Sequence, residues 1–255
     1  MVDPRPSVIN ERLERISKII AVSSGKGGVG KSLVATTLAL TLAQQGCRVG
    51  LFDIDFTSPS THVIMGVKNV HPTEEKGLVP PKVHGLAYMS IVYYSGDYAV
   101  PLRGAETSNA LIELLAVTQW GELDYLIIDM PPGISDAVLD LVRLVKRINF
   151  LIVTTSSKLA FETVKKQVVL LKDLKVPIIG IVENMKMTNS ENIQQQTENL
   201  NLKFLAEIPF DPQIESAIGN GTKLLATSLG QKIKEIVEGK RDQKKLWSRN
   251  SIIHP

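Results

Sequence analysis

Ile19-Ile-Ala-Val-Ser-Ser24, followed by Gly25-Lys26-Gly27-Gly28-Val29-Gly30-Lys31-Ser32, carries the chain from an apolar run through four glycines to a lysine and a hydroxyl. Gly25 and Gly30-Lys31-Ser32 satisfy the G-x-x-x-x-G-K-[ST] spacing of a phosphate loop. Glycines allow the backbone to curl so that successive N–H groups face one anionic centre. A helix leaving the loop at Lys31 directs its positive end at the same point. Lys31 is then placed to reach the β- and γ-phosphates, and the Ser32 hydroxyl to ligate Mg²⁺. Gly25, Lys26, Gly27, Gly28, Val29, Gly30, Lys31, Ser32 and Leu33 form the expected nucleotide-binding stretch, with ATP or ADP and Mg²⁺ as cofactors. A strand entering and a helix leaving such a loop also decide the fold, an α/β P-loop architecture.

The remainder of the chain agrees with that architecture. Short β-branched runs at Ile19–Ser23, Arg48–Phe52, Leu86–Ile91, Tyr125–Asp129, Phe150–Thr154, Ile178–Val182 and Phe204–Ile208 alternate with longer helical patterns. Several of these runs are apolar on consecutive residues, as strands covered on both faces are. The expected fold is a doubly wound, mostly parallel sheet of about seven strands with helices on both faces. Helices are expected over Lys31–Gln45, Ser135–Arg147, Leu159–Leu174 and Thr222–Glu238, with a surface helix at Asn189–Asn201. Ile9, Leu13 and Ile16 have the spacing of a short amphipathic helix before the first strand, within residues 1–17. Val67–His84, with Pro72, Gly77, Pro80 and Pro81, reads as an irregular excursion. No internal repeat or long linker divides the chain, so residues 1–255 are expected to form a single domain.

Composition narrows the function. The chain has 255 residues, 44% hydrophobic and 22% charged, enough for a substantial core. A single cysteine, Cys47, and four histidines exclude a disulfide framework and a four-ligand Cys/His metal cage within one chain. Neither a leader peptide nor an apolar run of about 18 residues is visible, so a soluble cytoplasmic protein is expected. The net charge is +3, of which +4 lies in Lys232–Arg249. The rest is nearly neutral, and a nucleic-acid partner is not expected. In the basic stretch 240–255, Leu246, Trp247, Ile252 and Ile253 fall at about 0°, 100°, 240° and 340° around a helix. They form no single stripe, which favours a disordered tail over a membrane-binding helix.

Several acids and loops are placed for phosphate chemistry. Asp53 and Asp55 end the second strand one residue apart and point the same way. Two solvated acids at a strand end would look the same, but this edge of a parallel sheet is where ligands bind. Tyr125-Leu-Ile-Ile-Asp129 is an apolar strand ending in an acid, the pattern that holds Mg²⁺, and Pro131-Pro132-Gly133 follows as a stiff turn. Gly133 could offer its N–H to a γ-phosphate. Ile181-Val-Glu183-Asn184-Met185 and Ile208-Pro209-Phe210-Asp211-Pro212 follow two further strands onto the same edge. Read alone, Asn184 is first of all a loop-capping side chain. The spacing of Lys26 leaves open a solvated loop lysine or a cation reaching across a two-fold interface.

Lys26-Gly-Gly-Val-Gly-Lys-Ser32 resembles the deviant Walker A of the Mrp/MinD-type P-loop ATPases, which include partition ATPases and the nitrogenase iron protein. That resemblance implies a slow, conformationally coupled ATPase working as a nucleotide-sandwich homodimer, with Lys26 acting across the interface as a catalytic cation beside Lys31. It implies that Asp55 orients the attacking water and that Asp53 supports both its loop and Mg²⁺, the latter together with Ser32 and Asp129. Asn184, Pro209, Phe210 and Asp211 would then surround the adenine.

The chain departs from the iron–sulfur carriers of that family by lacking a Cys-x-x-Cys after Glu183-Asn184-Met185. Thiolates ordinarily hold cluster irons, and Cys47 is read as a small buried hydrophobe. Asp3-Pro-Arg5, Glu75–Gly85, Tyr93-Tyr94, Pro101-Leu-Arg-Gly104 and Asn109–Leu115 resemble the archaeal Mrp/MinD-type ATPase of [NiFe]-hydrogenase maturation. That likeness implies a HypA-like nickel metallochaperone as partner. An iron–sulfur cluster carrier and a positioning or partition ATPase are the alternatives. His62, His71 and His84, scattered through loops, read as solvated side chains before nickel ligands.

Overall fold

The computed structural model describes residues 3–95, 104–187 and 192–239. In chain order the elements are α1 (Arg5–Glu14), β1 (Ile16–Ser24), α2 (Lys31–Gln44), β2 (Val49–Asp53), α3 (Thr61–Met65), β3 (Thr73–Glu74), β4 (Leu78–Val79), β5 (Lys82–Val83), β6 (Leu86–Ser90), α4 (Val92–Ser95) and α5 (Ala105–Val117). They continue as β7 (Leu123–Asp129), α6 (Asp136–Leu144), β8 (Ile148–Thr154), α7 (Lys158–Asp173), β9 (Ile178–Lys186), α8 (Ile193–Asn199), β10 (Phe204–Pro209), α9 (Gln213–Ala217), α10 (Gly221–Ala226) and α11 (Ser228–Glu238).

One eight-stranded sheet runs in the order β10-β9-β8-β1-β7-β2-β6-β5. Every pairing is parallel except β5 with β6. The apolar runs make the central strands buried on both faces, and successive residues feed opposite cores. Ala21, Leu126, Ile128, Phe150 and Ile152 join one cluster with α1, α5, α6 and α7. Ile20, Val22, Ile127, Leu151 and Val153 join the other with α2, α10 and α11. This two-sided burial is the reason the strands read as continuous apolar segments.

All seven expected strands are present. The eighth, β5, is a two-residue strand inside the excursion 67–84, where β3 and β4 also form a small antiparallel ladder. Pairs this short carry too few residues for any periodicity. Ile16 opens β1 rather than extending the first helix, which ends at Glu14. The expected closing helix is two helices, because the Thr227 side chain accepts from Gly230 N and starts α11 afresh. Helix α8 begins at Ile193, capped by Asn192. The stretch 240–255 and residues 101–103 of the Pro101–Gly104 segment lie outside the described residues. Among the described residues no helix is long and apolar enough to cross a membrane.

Strand β1 sits between β8 and β7, with its C-terminal end at the middle of the sheet edge. That position brings the phosphate loop beside the ends of β2 and β7.

Candidate active site

The loop between β1 and α2 is shaped by two glycines that nothing else could replace. Gly30 has a φ of +78°, and a Cβ there would strike the amide of Asn184 and come within 3.1 Å of Met185. At Gly25 a Cβ would lie 2.8 Å from the backbone of Thr163 and Val164, because α7 packs directly on the loop. Further ties hold the loop in place. Asn184 Nδ2 donates to Val29 O at 3.0 Å, Ser24 Oγ to Lys26 O at 2.9 Å, and Gly133 N to Ser24 O at 2.8 Å. Below it, Gln167 of α7 donates to Ser23 Oγ. Helix α2 starts at Lys31, so its first N–H groups open toward the loop.

Lys31 and Asp129 meet in the centre. Lys31 Nζ lies 2.6 Å from Asp129 Oδ1 and 3.1 Å from Ser32 Oγ, with lysine and acid both buried. The other carboxylate oxygen, Asp129 Oδ2, is buried with no hydrogen-bond partner. Burial pushes the Asp129 carboxyl up to about 7, and Asp53 pushes the same way, while Lys31 pulls against both. A buried carboxylate oxygen without a donor, beside a hydroxyl, is the kind of oxygen set that takes Mg²⁺. The residues present therefore fit a nucleotide-bound Mg²⁺ at Ser32 and Asp129.

Asp53 stands opposite Asp129 in the β2–β7 register. Its oxygens are already engaged: Oδ1 accepts from Asp55 N, and Oδ2 accepts from Ser60 N, Thr61 N and Thr61 Oγ1. Burial raises its carboxyl, against these donors and Lys31. Four protein donors thus engage its carboxylate, and Asp53 ties down the loop after β2, the loop-supporting part of its expected role. Asp55 is buried in that loop, where Oδ1 accepts from Thr57 Oγ1 at 2.9 Å and Ser58 N at 3.2 Å.

Between the phosphate loop and this second loop lies a cleft of about 610 Å³, within the usual range for small-molecule sites. Lys26–Gly28 and Gly30–Leu33 border one side, Asp55, Thr57, Ser58 and Ser60 the other, and Val63, Ile64 and Ile218 form an apolar end. Lys26, expected to serve a partner's nucleotide, borders its own chain's cleft.

Other expected contacts fall elsewhere. The Gly133 N–H donates to Ser24 O, and neighbouring Pro132 borders the cleft. Asn184 is buried beneath the loop with its Nδ2 on Val29, the loop-support alternative to a base contact. Asp211 accepts from Gln213 N, Ser228 N and Ser228 Oγ, which hold its carboxyl below the usual range. It joins α9 to α11 instead of facing the cleft. Pro209 and Phe210 are exposed at the end of β10, away from the cleft lining. His84 Nε2 pairs with Met65 O, and the His71 ring tilts against Tyr93 at 5.9 Å. Among the described residues no three His, Cys, Asp or Glu side chains cluster to hold a metal ion.

Thr57, Ser58, Thr61 and Tyr88 are functional candidates that motif reading missed. A hydroxyl-rich stretch right after Asp53-x-Asp55 was the available signal for the first three. Tyr88 is an ordinary aromatic within a buried strand and carried none.

A family model described as ParA, NUBPL iron-transfer P-loop NTPase, matches residues 15–242. The chain is 38% identical over 222 residues to the iron-sulfur cluster carrier protein of Salmonella typhimurium, covering 81% of this chain and 60% of that one. It is 40% identical over 228 residues to the chloroplastic Fe-S cluster assembly factor HCF101 of Arabidopsis thaliana, covering 82% and 42%. The chain thus spans well under two thirds of the length of these curated relatives. A nucleotide-binding protein from Archaeoglobus fulgidus, solved with ADP and with cobalt found, superposes with a TM-score of 0.75 at 32% identity, covering 87% and 93%. With the phosphate loop, its acids and the sheet order all in place, the chain belongs to the ParA family, among the NUBPL-type iron-transfer P-loop NTPases.

Proposed function

We propose that the chain hydrolyses Mg-ATP as a nucleotide-sandwich homodimer and serves iron–sulfur protein assembly. The observation that carries the ATPase part is the Lys31–Asp129 pair beside an unpartnered, buried Asp129 Oδ2. On binding, Lys31 turns from Asp129 to the β- and γ-phosphates, and the loop N–H groups take up the remaining charge. Bound Mg²⁺, held through Ser32 and Asp129, supplies charge neutralisation at the phosphates. Asp55 borders the cleft opposite the phosphate loop and is the residue to orient the attacking water. Lys26 adds a cation at the transferring phosphoryl group, toward the partner's nucleotide.

The iron–sulfur part rests on the names of the relatives, with the cluster as cargo. This chain offers one thiol, Cys47, half-buried. A dimer then brings two thiols where a cluster ordinarily needs four. We therefore place the remaining cluster ligands on a client or scaffold protein, with the ATPase driving docking and release. Segments such as Glu75–Gly85 and Asn109–Leu115 carry a second reading, docking of a HypA-like nickel chaperone.

The test is a pull-down from native lysate with Asp55→Asn as bait, in Mg-ATP and again in ADP. ATP-dependent capture of apo iron–sulfur proteins or their scaffolds supports the first reading. Capture of a nickel chaperone instead replaces it with the second. Absence of ATP turnover in the wild-type chain would refute the enzymatic part.

A further inference from the structure

Asp53 acts as a clasp for the loop that carries Asp55. Its Oδ1 holds the near end of the loop through Asp55 N at 3.1 Å. Its Oδ2 holds the far end through Ser60 N and Thr61 N, both at 3.2 Å. The shortest bond is from the Thr61 hydroxyl, Oγ1 to Oδ2, at 2.7 Å.

The Thr61 hydroxyl in turn lies 2.9 Å from Tyr88 Oη, on the neighbouring strand β6. The Thr61 hydroxyl donates to Asp53, so its single proton is used there. Thr61 Oγ1 is then left to accept from Tyr88. The result is a directed chain, Tyr88 O–H to Thr61 O–H to the Asp53 carboxylate. All three side chains are wholly buried, where charge-assisted bonds are strong and a lost partner is costly. Burial also raises the Tyr88 phenol far above its ordinary value, keeping its proton in place.

The chain matters because Asp53 is the register partner of Asp129, the acid that the Lys31 ammonium contacts. Whichever way that ammonium turns, the four donors are what hold the Asp53 carboxylate in place.

We propose that Thr61 and Tyr88 are positioning residues for ATP hydrolysis, fixing Asp53 so that the loop presents Asp55 to the attacking water. This rests on the ATPase reading above. Neither side chain borders the cleft, so both act through Asp53 rather than on nucleotide. The Tyr88 ring also meets Tyr93 edge-on at 5.7 Å, and Tyr93 meets His71, which extends the same packing into the excursion 67–84.

The experiment compares Tyr88→Phe, Thr61→Val and Thr61→Ser by steady-state ATP turnover and by amide exchange at Asp55, Ser60 and Thr61. Tyr88→Phe retains the ring, so the core stays packed. One to two lost buried hydrogen bonds predict a kcat roughly 5-fold lower for Tyr88→Phe and roughly 30-fold lower for Thr61→Val, with KM for ATP within about twofold. Thr61→Ser restores kcat, and exchange quickens at those three amides in the two damaging variants. Unchanged kcat with unchanged exchange overturns the proposal, as does exchange that quickens throughout the chain or a Thr61→Ser variant as slow as Thr61→Val. If the wild-type chain shows no turnover, the ATPase reading fails with the catalytic role, and the exchange data alone still decide whether the hydroxyls hold the clasp.

Discussion

Lys31 Nζ sits 2.6 Å from Asp129 Oδ1, so the lysine of the phosphate loop is held by the acid that ends β7. Both are almost fully removed from solvent, at 6% and 0% exposure. A buried pair of this kind contributes little net stability, yet deleting one partner leaves an uncompensated charge at a cost of about 3–5 kcal/mol. On the proposed ATPase reading, nucleotide binding exchanges these partners: phosphate takes the ammonium, and a cation takes the acid. The pair is therefore a resting state for both groups.

Lys31→Ala should weaken ATP binding by roughly 100-fold or more, since charge-assisted bonds of about 1.5–3 kcal/mol each are lost. It should also leave Asp129 alone, so the variant's melting temperature falls further at pH 8 than at pH 6, where the acid can take a proton. Calorimetric titration with ATP and thermal melts at the two pH values measure both. ATP affinity equal to wild type would contradict the phosphate-loop assignment.

Asp129 gives the apo protein a defined pH dependence. Its carboxyl is raised from 3.8 to about 7, chiefly by burial. Across that window the unfolded chain releases the proton before the folded chain does. Stability from this group is thus present at low pH, declines as pH rises through that window, and levels off above about 7. Asp129→Asn should flatten that part of the profile relative to wild type in paired melting curves. Because Mg²⁺ competes with the same proton, Mg²⁺ binding with ADP should strengthen as pH rises toward 8. Parallel profiles for wild type and variant would remove Asp129 as the titrating group.

Asp55→Asn keeps the loop's shape, since Oδ1 can still accept from Thr57 Oγ1 and Ser58 N. Turnover should fall by about 100-fold or more, the range for loss of a positioned base, while ATP affinity stays near wild type. Single-turnover hydrolysis and equilibrium binding separate the two. A fully active variant would move water positioning to another residue.

Gly25→Ala tests how α7 supports the phosphate loop. The new methyl would lie 2.8 Å from the backbone of Thr163 and Val164, which no rotamer change can relieve. Overpacking of this kind typically costs about 1–3 kcal/mol, and here it displaces the loop as well. A lower melting temperature together with loss of nucleotide binding is expected. Gly28→Ala is the contrast: a Cβ there meets nothing, although φ is +77°. It should destabilise less than Gly25→Ala.

The strands were legible because helices cover both faces of the sheet, leaving uninterrupted apolar runs such as Tyr125–Ile128. The two-residue strands β3, β4 and β5 were not, since the ladder around them creates them rather than any pattern of their own. The break at Thr227 was also hidden, because its side-chain cap interrupts an otherwise helical pattern. At the site, glycine spacing and strand-end acids were readable as local features. The exact acceptor of a side chain or N–H was not: Asn184 Nδ2 donates to Val29 O and Gly133 N to Ser24 O, contacts that only the packed sheet edge creates.

By itself the sequence determined that a strand, a glycine loop and a helix would make a phosphate site, and that Asp53 and Asp129 would end strands at one sheet edge, with Asp55 just beyond. Those are local properties of backbone freedom and apolar runs. The tertiary structure decided which groups meet. Strand order β8-β1-β7-β2-β6 joins Lys31 to Asp129 across 98 positions and Tyr88 to Thr61 across 27. Neighbours made by crossover connections leave no periodic trace along the chain, so only the folded sheet reveals them.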